Sequence, residues 1–322
     1  RRLFSTQAAF LAALIYAGSF LVSFYSREFW NPLLIPLLSL IIGYLLYEII
    51  VGRVNKLILL SLFFGLALHS HLSILVFTPL MIAVIWKKRK TTPQKVVVNS
   101  ILVFILTQIP IIIFDLRHGF PNLRAIISLI LNLGQGENVG SDPVSRIVLF
   151  ISTLGRYFFP SVSSDWLVES GQCKELISYR KENLLTGINL LVGALSIVWL
   201  SREKLINRFK IHPQLKLKNI KGEKLLISVL FLTVIFVLIY PREIYEYYFL
   251  YFFPWLAIII GYALHRLLLY RGGKLFVYPL LSVFIFINLL ALLTSYSSFS
   301  YKDKIMALEF AGKYFKNTDY SL

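Results

Sequence analysis

The sequence predicts an all-α polytopic membrane protein, a bundle of about nine transmembrane helices with its N-terminus inside and its C-terminus outside. Of the 322 residues, 57% are hydrophobic and only 15% are charged, whereas soluble globular chains carry about 25% charged residues. The apolar residues form runs comparable in length to the roughly 17–25 residues that a helix needs to cross a bilayer. The net charge of +17 is concentrated between alternate runs, which orients the bundle.

Nine apolar runs are interpreted as spans. The third and fourth runs are short and are separated by Leu68-His69-Ser70-His71, so we expect a tight hairpin in which neither arm crosses the full bilayer. The nine runs lie at 4–24, 33–51, 57–68, 72–86, 97–113, 183–200, 225–240, 249–269 and 275–294.

The distribution of charge orients this arrangement. With the N-terminus inside, the inner segments hold 20 of the 33 basic residues and 3 of the 16 acidic ones, which makes the inside +17 and the outside neutral. This is the bias expected of a membrane protein, and it removes nucleic acid as the explanation of the basic charge. The inner segment 201–224, with eight basic residues, predicts a contact with lipid headgroups.

The chain divides into a transmembrane domain, residues 1–294, and the start of a truncated extracytoplasmic region, residues 295–322. The transmembrane domain includes a long outer loop, 114–182, in which 122–133 has the spacing of an amphipathic helix lying in the membrane interface. The apolar segment 144–159 carries two arginines and is placed outside, since a crossing there would invert every later charge assignment. Because the sequence starts Arg-Arg without a methionine, we expect it to be a fragment of a longer chain.

The strongest local cluster of polar residues follows the fifth span. Asp115, Arg117 and His118 lie within four residues. A carboxylate and an imidazole suit a general base or a divalent metal, and a guanidinium suits phosphate. The alternative is an Asp–Arg pair that caps the span.

Three further outer stretches carry unusual residues. Arg27, in the turn 26–32, could bind a lipid phosphate or could anchor the span at the interface together with Trp30. His69 and His71 flank the hairpin tip, where their spacing does not favour a shared metal; His71 suits phosphate contact, and an ordinary interfacial role is the alternative. The tyrosine-rich segment 241–248 is either an aromatic belt or a sugar-binding wall.

Five stretches, taken together and in order, resemble the GT-C membrane glycosyltransferases. The similar group is the family-39-like one, which includes protein O-mannosyltransferases and the aminoarabinose transferase that modifies lipid A. In this resemblance His71 falls where many relatives have a lysine that meets the donor phosphate, and Tyr251 replaces a common proline. The five stretches are Leu3–Leu14, Ser26–Pro32, Gly65–Pro79, Phe114–Asn122 and Tyr248–Pro254.

The resemblance implies an inverting enzyme that moves a hexose or pentose from a polyprenyl-phosphate donor to a lipid, glycan or protein acceptor. It implies a site on the extracytoplasmic side of a plasma membrane, in a bacterium. Family members precede the matched region with a span and an acidic outer loop, so the chain is expected to lack its principal base and to be inactive alone if that loop is missing.

The resemblance also implies roles for individual residues. The implied roles are donor phosphate binding for Arg27, His71 and Arg117; acid–base catalysis for Asp115 and, more weakly, Glu28; a carrier or sugar groove for Trp30, Asn31, Tyr247 and Tyr248; and a divalent metal (Mg, Mn or Zn) at Asp115 and His118.

Two other functions are compatible with the sequence. A transporter or lipid flippase should show internal repeats and polar groups near the middle of the membrane, whereas the polar clusters here lie at one face. A glycan polymerase or ligase also uses arginine and histidine at the outer face with a lipid-linked donor, and the sequence separates it poorly from a glycosyltransferase.

Overall fold

The computed structural model describes residues 5–27, 30–131, 143–160, 220–240, 244–270 and 272–294. Within these ranges the chain forms eleven α-helices and three 3₁₀ helices and no strand, which confirms the predicted all-α bundle. The α-helices are α1 (Thr6–Gly18), α2 (Phe20–Ser26), α3 (Ile35–Val51), α4 (Lys56–Ser70), α5 (Thr78–Lys88), α6 (Gln94–His118), α7 (Pro121–Leu131), α8 (Pro143–Phe158), α9 (Ile220–Ile239), α10 (Phe253–Leu268) and α11 (Gly273–Thr294). The 3₁₀ helices are Asn31–Leu34, Leu72–Phe77 and Glu246–Phe249.

Four of the described helices are long and apolar enough to cross a membrane: Asn31–Val51, α6, most of α9 and α11. A fifth candidate is the pair α1 and α2, which is bent by 64°. The shorter apolar helices α4 and α10 correspond to predicted spans, and the predicted span 183–200 lies outside the described residues. These lengths and compositions indicate a multi-pass membrane protein.

The predicted first span, 4–24, is therefore two helices rather than one. The break is at Ser19, whose hydroxyl donates to the carbonyl of Tyr157 at 3.0 Å. The backbone N–H of Phe20 donates to Oδ1 of Asn288 at 2.7 Å. Because distant helices satisfy these groups, the chain can bend inside an apolar segment without leaving a buried backbone group unpaired.

The predicted hairpin tip coincides with a break in the helices. α4 ends at Ser70, His71 is extended (φ −166°, ψ 139°), and the returning arm starts as the 3₁₀ helix Leu72–Phe77 before α5 begins. Pro79 stands at the start of α5, where a missing N–H costs nothing.

Close helix packing at the centre of the bundle depends on two glycines. A Cβ atom at Gly43 would lie 2.0 Å from the indole of Trp255, and one at Gly261 would lie 2.4 Å from the backbone nitrogen of Ala12. α3 and α1 can therefore approach α10 closely, as small residues allow in membrane bundles.

Two boundaries differ from the sequence predictions. α6 continues past residue 113, through Pro110, and ends at His118 because Gly119 (φ 74°) adopts the left-handed conformation that stops helices. The segment 144–159, predicted to lie outside, forms α8, whose Leu149, Leu154 and Tyr157 belong to the buried core. The helix predicted over 122–133 is present as α7, and its position in the membrane interface stays a prediction. The segment 295–322 lies outside the described residues.

Candidate functional site

Seven aromatic side chains from separated parts of the sequence meet at one place, here called the aromatic cluster. Its members are Tyr25, Trp30, His71, Tyr240, Tyr245, Tyr247 and Tyr248. Trp30 stacks on Tyr25 with ring centroids 5.8 Å apart, and it meets Tyr247 edge-on at 4.9 Å. His71 meets Tyr247 edge-on at 5.6 Å and Tyr248 at 4.9 Å. The structure thus joins four of the predicted site residues.

The tyrosines of the cluster form a stacked wall. Tyr247 and Tyr248 stack with centroids 4.9 Å apart, and Tyr245 stacks on both at 5.6 and 5.9 Å. Tyr247 and Tyr248 are half-buried, and burial raises the pKa of each above its ordinary value. Their hydroxyls therefore stay protonated at neutral pH. They hydrogen-bond to one another, and the Tyr248 hydroxyl also hydrogen-bonds to that of Tyr240. A polar row of hydroxyls beside an aromatic surface suits amphipathic ligands.

His71 is held by the first turn of the 3₁₀ helix that follows it. Its Nδ1 accepts a hydrogen bond from the backbone N–H of Ser73 at 3.2 Å and lies 2.9 Å from the Ser73 hydroxyl oxygen. Burial lowers the pKa of His71 below its ordinary value, so the ring is neutral at pH 7.

A buried ionic group lies next to the cluster. The hydroxyl of Tyr25 donates to Oε2 of Glu246 at 3.0 Å, and the guanidinium of Arg156 pairs with Oε1 of the same carboxylate. Arg156 is only 2% exposed and Glu246 7%. These three residues come from α2, α8 and the 3₁₀ helix Glu246–Phe249, so the ion pair fixes that 3₁₀ helix, with Tyr247 and Tyr248, against two other elements.

The sequence reasoning assigned no role to Arg156 or Glu246. A signal was present, since an arginine inside an apolar segment and a glutamate inside a tyrosine run both need a partner when they are buried. Ninety residues separate the two in the sequence, however, and only the folded bundle shows that they are each other's partners.

Asp115 serves as the N-terminal cap of α7. Its Oδ1 accepts hydrogen bonds from the backbone and side-chain nitrogens of Asn122, and its Oδ2 accepts one from the backbone nitrogen of Leu123, all at 3.0 Å. A carboxylate at this position satisfies free N–H groups and complements the helix dipole. The capping alternative thus describes this side chain, although the helix capped is the following one and the partner is not Arg117.

His118 and Arg117 are exposed on the last turn of α6. Nδ1 of His118 lies 2.8 Å from the carbonyl oxygen of Phe114, and its ring stacks on the Phe114 ring at 4.2 Å. The recorded side-chain contacts of Asp115 and His118 are all within residues 114–123, so within the described chain this turn makes no direct contact with the aromatic cluster.

Arg27 and Asn31 are exposed on either side of Trp30 in the sequence. Arg27 ends α2, and its backbone N–H bonds to the carbonyls of that helix. Glu28 lies outside the described residues. A largely apolar cavity of about 130 Å³ borders Tyr25 and Ser26 and is lined in part by side chains of α1, α3 and α10.

The four acidic residues in the described part of the chain are all engaged. Asp115 caps α7, Glu246 pairs with Arg156, and the other two, Glu48 and Glu223, contact Arg53 and Tyr262. No three histidine, cysteine, aspartate or glutamate side chains of the described ranges come close enough together to hold a metal ion. The described residues therefore offer no third such ligand beside Asp115 and His118, and both oxygens of Asp115 already accept N–H groups.

Comparison with known proteins identifies similarity in the N-terminal third. Residues 1–114 match the model of the dolichyl-phosphate-mannose-protein mannosyltransferase family. The matched range contains Trp30 and His71 of the aromatic cluster. No curated protein and no solved structure matches the chain. The family match supports a GT-C-like glycosyltransferase and confirms the resemblance drawn from the sequence.

Proposed function

We propose that the protein transfers a sugar from a polyprenyl-phosphate-linked donor to an acceptor at the extracytoplasmic face of a bacterial plasma membrane, with inversion at the anomeric carbon. The observation that carries this proposal is the aromatic cluster. It places Trp30 and His71, from the region that matches the mannosyltransferase family, against Tyr247 and Tyr248. The chemistry belongs to residues 1–294, and 295–322 begin an extracytoplasmic region.

The reaction is a single displacement. The acceptor oxygen or nitrogen forms a bond to the anomeric carbon from the face opposite the phosphate, while the bond from that carbon to the phosphate oxygen breaks. The acceptor's proton goes to a base, and the polyprenyl phosphate leaves with the bonding electrons. Donors near the phosphate stabilise the charge that develops there, and we assign this role to Arg27, Arg117 and His71.

The aromatic cluster is the proposed carrier and sugar groove. Half-buried tyrosine rings offer flat apolar surface to a sugar ring or prenyl chain, and their hydrogen-bonded hydroxyls form a polar rim. Asn31 adds an exposed amide next to Trp30. The lipid, glycan or protein acceptor approaches the anomeric carbon from the far side of this groove.

The base that takes the acceptor's proton is not one of the four acids within the described ranges in the arrangement seen, because each is already bound. Glu28, next to Arg27 in the sequence, is the candidate that we propose for acid–base chemistry. The proposal needs no metal ion.

Sugar transfer can be tested with the full chain in membrane vesicles, using decaprenyl-phosphate-linked mannose, glucose and arabinose as probes and membrane lipids, glycans and proteins as acceptors. We expect His71→Ala and Tyr248→Leu to lower the rate at least about tenfold, the loss that follows from roughly 1.4 kcal/mol of lost transition-state binding. Tyr278→Leu, an exposed tyrosine on α11 (53% exposed), is the matched control and should transfer normally.

The same assay separates the alternatives. Product of inverted configuration supports the proposal. Transfer that both variants leave unchanged would remove the aromatic cluster from the site. Movement of intact donor across the bilayer, with no cleavage of the bond to phosphate, would replace the proposal by a transporter or flippase.

A further inference from the structure

We propose that Ser73 holds His71 in one tautomer, with its single proton on Nε2, and that His71 meets the phosphate of the donor as a neutral N–H donor. The first half of this inference stands on the contacts of the two residues. The second half rests on the proposed function, because it needs a phosphate-bearing ligand.

The tautomer follows from the direction of one hydrogen bond. A backbone N–H can only donate, and that of Ser73 points at Nδ1 of His71 at 3.2 Å. Nδ1 must therefore present its lone pair. A neutral imidazole carries one proton, so that proton lies on Nε2. The Ser73 hydroxyl, 2.9 Å from the same Nδ1, adds a second donor to this lone pair.

Ser73 is buried next to His71. The residue is only 2% exposed, and within the described chain His71 is the recorded side-chain partner of its hydroxyl. The extended backbone of His71 places its ring over the first turn of the 3₁₀ helix Leu72–Phe77, where the N–H of Ser73 has no intrahelical partner. Ser73 is thus a positioning residue that acts through His71.

The other ring nitrogen remains open. Nε2 of His71 makes no hydrogen bond with a described residue, and the atom is not fully buried. It is therefore accessible to a ligand. The ring is clamped edge-on by Tyr247 and Tyr248, so the direction of the Nε2–H bond is fixed by aromatic contacts on one side and by Ser73 on the other.

The described groups that contact His71 are uncharged at neutral pH. Burial is therefore the main influence on the pKa of this side chain. Tyr247 and Tyr248 contact it from the 3₁₀ helix Glu246–Phe249, and Tyr240, the residue after α9, packs against Tyr248. His69 of α4 points elsewhere, to the carbonyl oxygen of Thr107 at 2.6 Å. No carboxylate or guanidinium of the described residues contacts the ring.

Two chemical consequences follow. With Nδ1 already accepting and Nε2 protonated, His71 cannot take the acceptor's proton, so it is not the base of the reaction. A neutral N–H also differs from the lysine of many relatives, because it gives one directed hydrogen bond instead of a movable point charge.

The tautomer can be read directly by ¹⁵N NMR of the full chain labelled at its five histidines in micelles, with His71→Asn identifying the His71 signals. At pH 7 we expect an unprotonated Nδ1 and a protonated Nε2. Ser73→Ala removes one donor to Nδ1 and should raise the proton affinity of His71 by a factor of about 2 to 10. Ser73→Thr should restore the wild-type titration, and Ser228→Ala is the matched control.

Several results would overturn the tautomer proposal: a protonated Nδ1 at pH 7, an imidazolium at pH 7, or a Ser73→Ala titration equal to the wild type in a variant that keeps its helical circular dichroism. These readings require no enzymatic activity.

The second half of the proposal, the contact of His71 with phosphate, is tested in the same NMR experiment. Decaprenyl phosphate is the probe, and decaprenol is its control. We expect the phosphate, and not the alcohol, to shift the Nε2 signal while the ring keeps a single proton. Equal responses to both lipids, or a second proton on the ring, would refute the neutral-donor role. If the phosphate response is as expected but no sugar is transferred, the proposed function fails and the ligand role of His71 stands.

Discussion

Asp115 shows how one side chain at a membrane mouth can be explained by local structure. Its two oxygens accept three N–H groups from Asn122 and Leu123, which is close to the full capacity of a carboxylate that must also remain solvated. It stands at the junction of α6 and α7 and orients the second helix relative to the first. This geometry explains Asp115 as a cap of α7, while its role as a base stays a prediction.

Replacement of Asp115 by alanine should therefore act on stability. We expect Asp115→Ala to lower the free energy of unfolding by about 1 to 2 kcal/mol and to speed amide hydrogen exchange at Asn122 and Leu123. Asp115→Asn should keep part of the cap and most of the transfer activity. Arg124→Ala, an exposed position on α7, is the control. Loss of transfer in Asp115→Asn with unchanged amide exchange would instead make Asp115 the base.

At this scale the sequence selected several residues that the fold brings together, but it did not show which contacts each of them makes. Trp30, His71, Tyr247 and Tyr248 were selected because polar and aromatic groups at span ends are expensive or functional, and the fold brings them together. Asp115 was selected on the same ground and turned out to bond locally. Asp115 bonds locally because α7 begins close to it. The left-handed backbone at Gly119 and Phe120 sets where α7 begins.

At the scale of elements, one buried ion pair connects parts of the chain that the sequence treated separately. Arg156 of α8 and Glu246 of the 3₁₀ helix Glu246–Phe249 are both almost inaccessible, and Tyr25 of α2 adds a hydrogen bond to the carboxylate. Two buried charges are costly to desolvate, so the pair is stable only while both partners are present.

A double-mutant cycle can measure this connection. Arg156→Met and Glu246→Gln should each lower the free energy of unfolding by about 3 to 5 kcal/mol, because each leaves one buried charge unpaired. The double variant should be less destabilised than the sum of the two, since it contains no buried charge. Arg89→Met, at the exposed arginine that follows α5, should change the free energy of unfolding little. Additive effects in denaturant titrations would contradict a direct pair.

The helices themselves were predictable, and their interruptions were not. Long apolar runs at α3, α6, α9 and α11 require helices, because the membrane interior leaves no other way to satisfy the backbone. The bend at Ser19 depends on Asn288, which lies 269 positions away in the sequence. The burial of α8 depends on the ion pair between Arg156 and Glu246. Such contacts between distant segments have no signature in local composition.

At the scale of the whole molecule, the orientation in the membrane follows from α6. Its 25 residues extend about 38 Å, enough to cross the roughly 30 Å hydrocarbon core. Its first turn lies in the basic region predicted to be inside, and its last turn carries Asp115, Arg117 and His118. If the first turn is inside, the last turn is outside, and the chain must then cross an odd number of times before α9 starts from the inside again.

We predict that the span 183–200 makes that odd crossing, and labelling can test it. In a Cys173→Ser background, Lys95→Cys and Lys274→Cys should react with a membrane-impermeant maleimide only in inverted vesicles. Leu116→Cys should react only in right-side-out ones. Reaction of Lys274→Cys from the outside would mean an even number of crossings between α6 and α9, since α9 through α11 keep their order. The span 183–200 would then be refuted, while the orientation of α6 and the outer position of its last turn would stand on the other two cysteines.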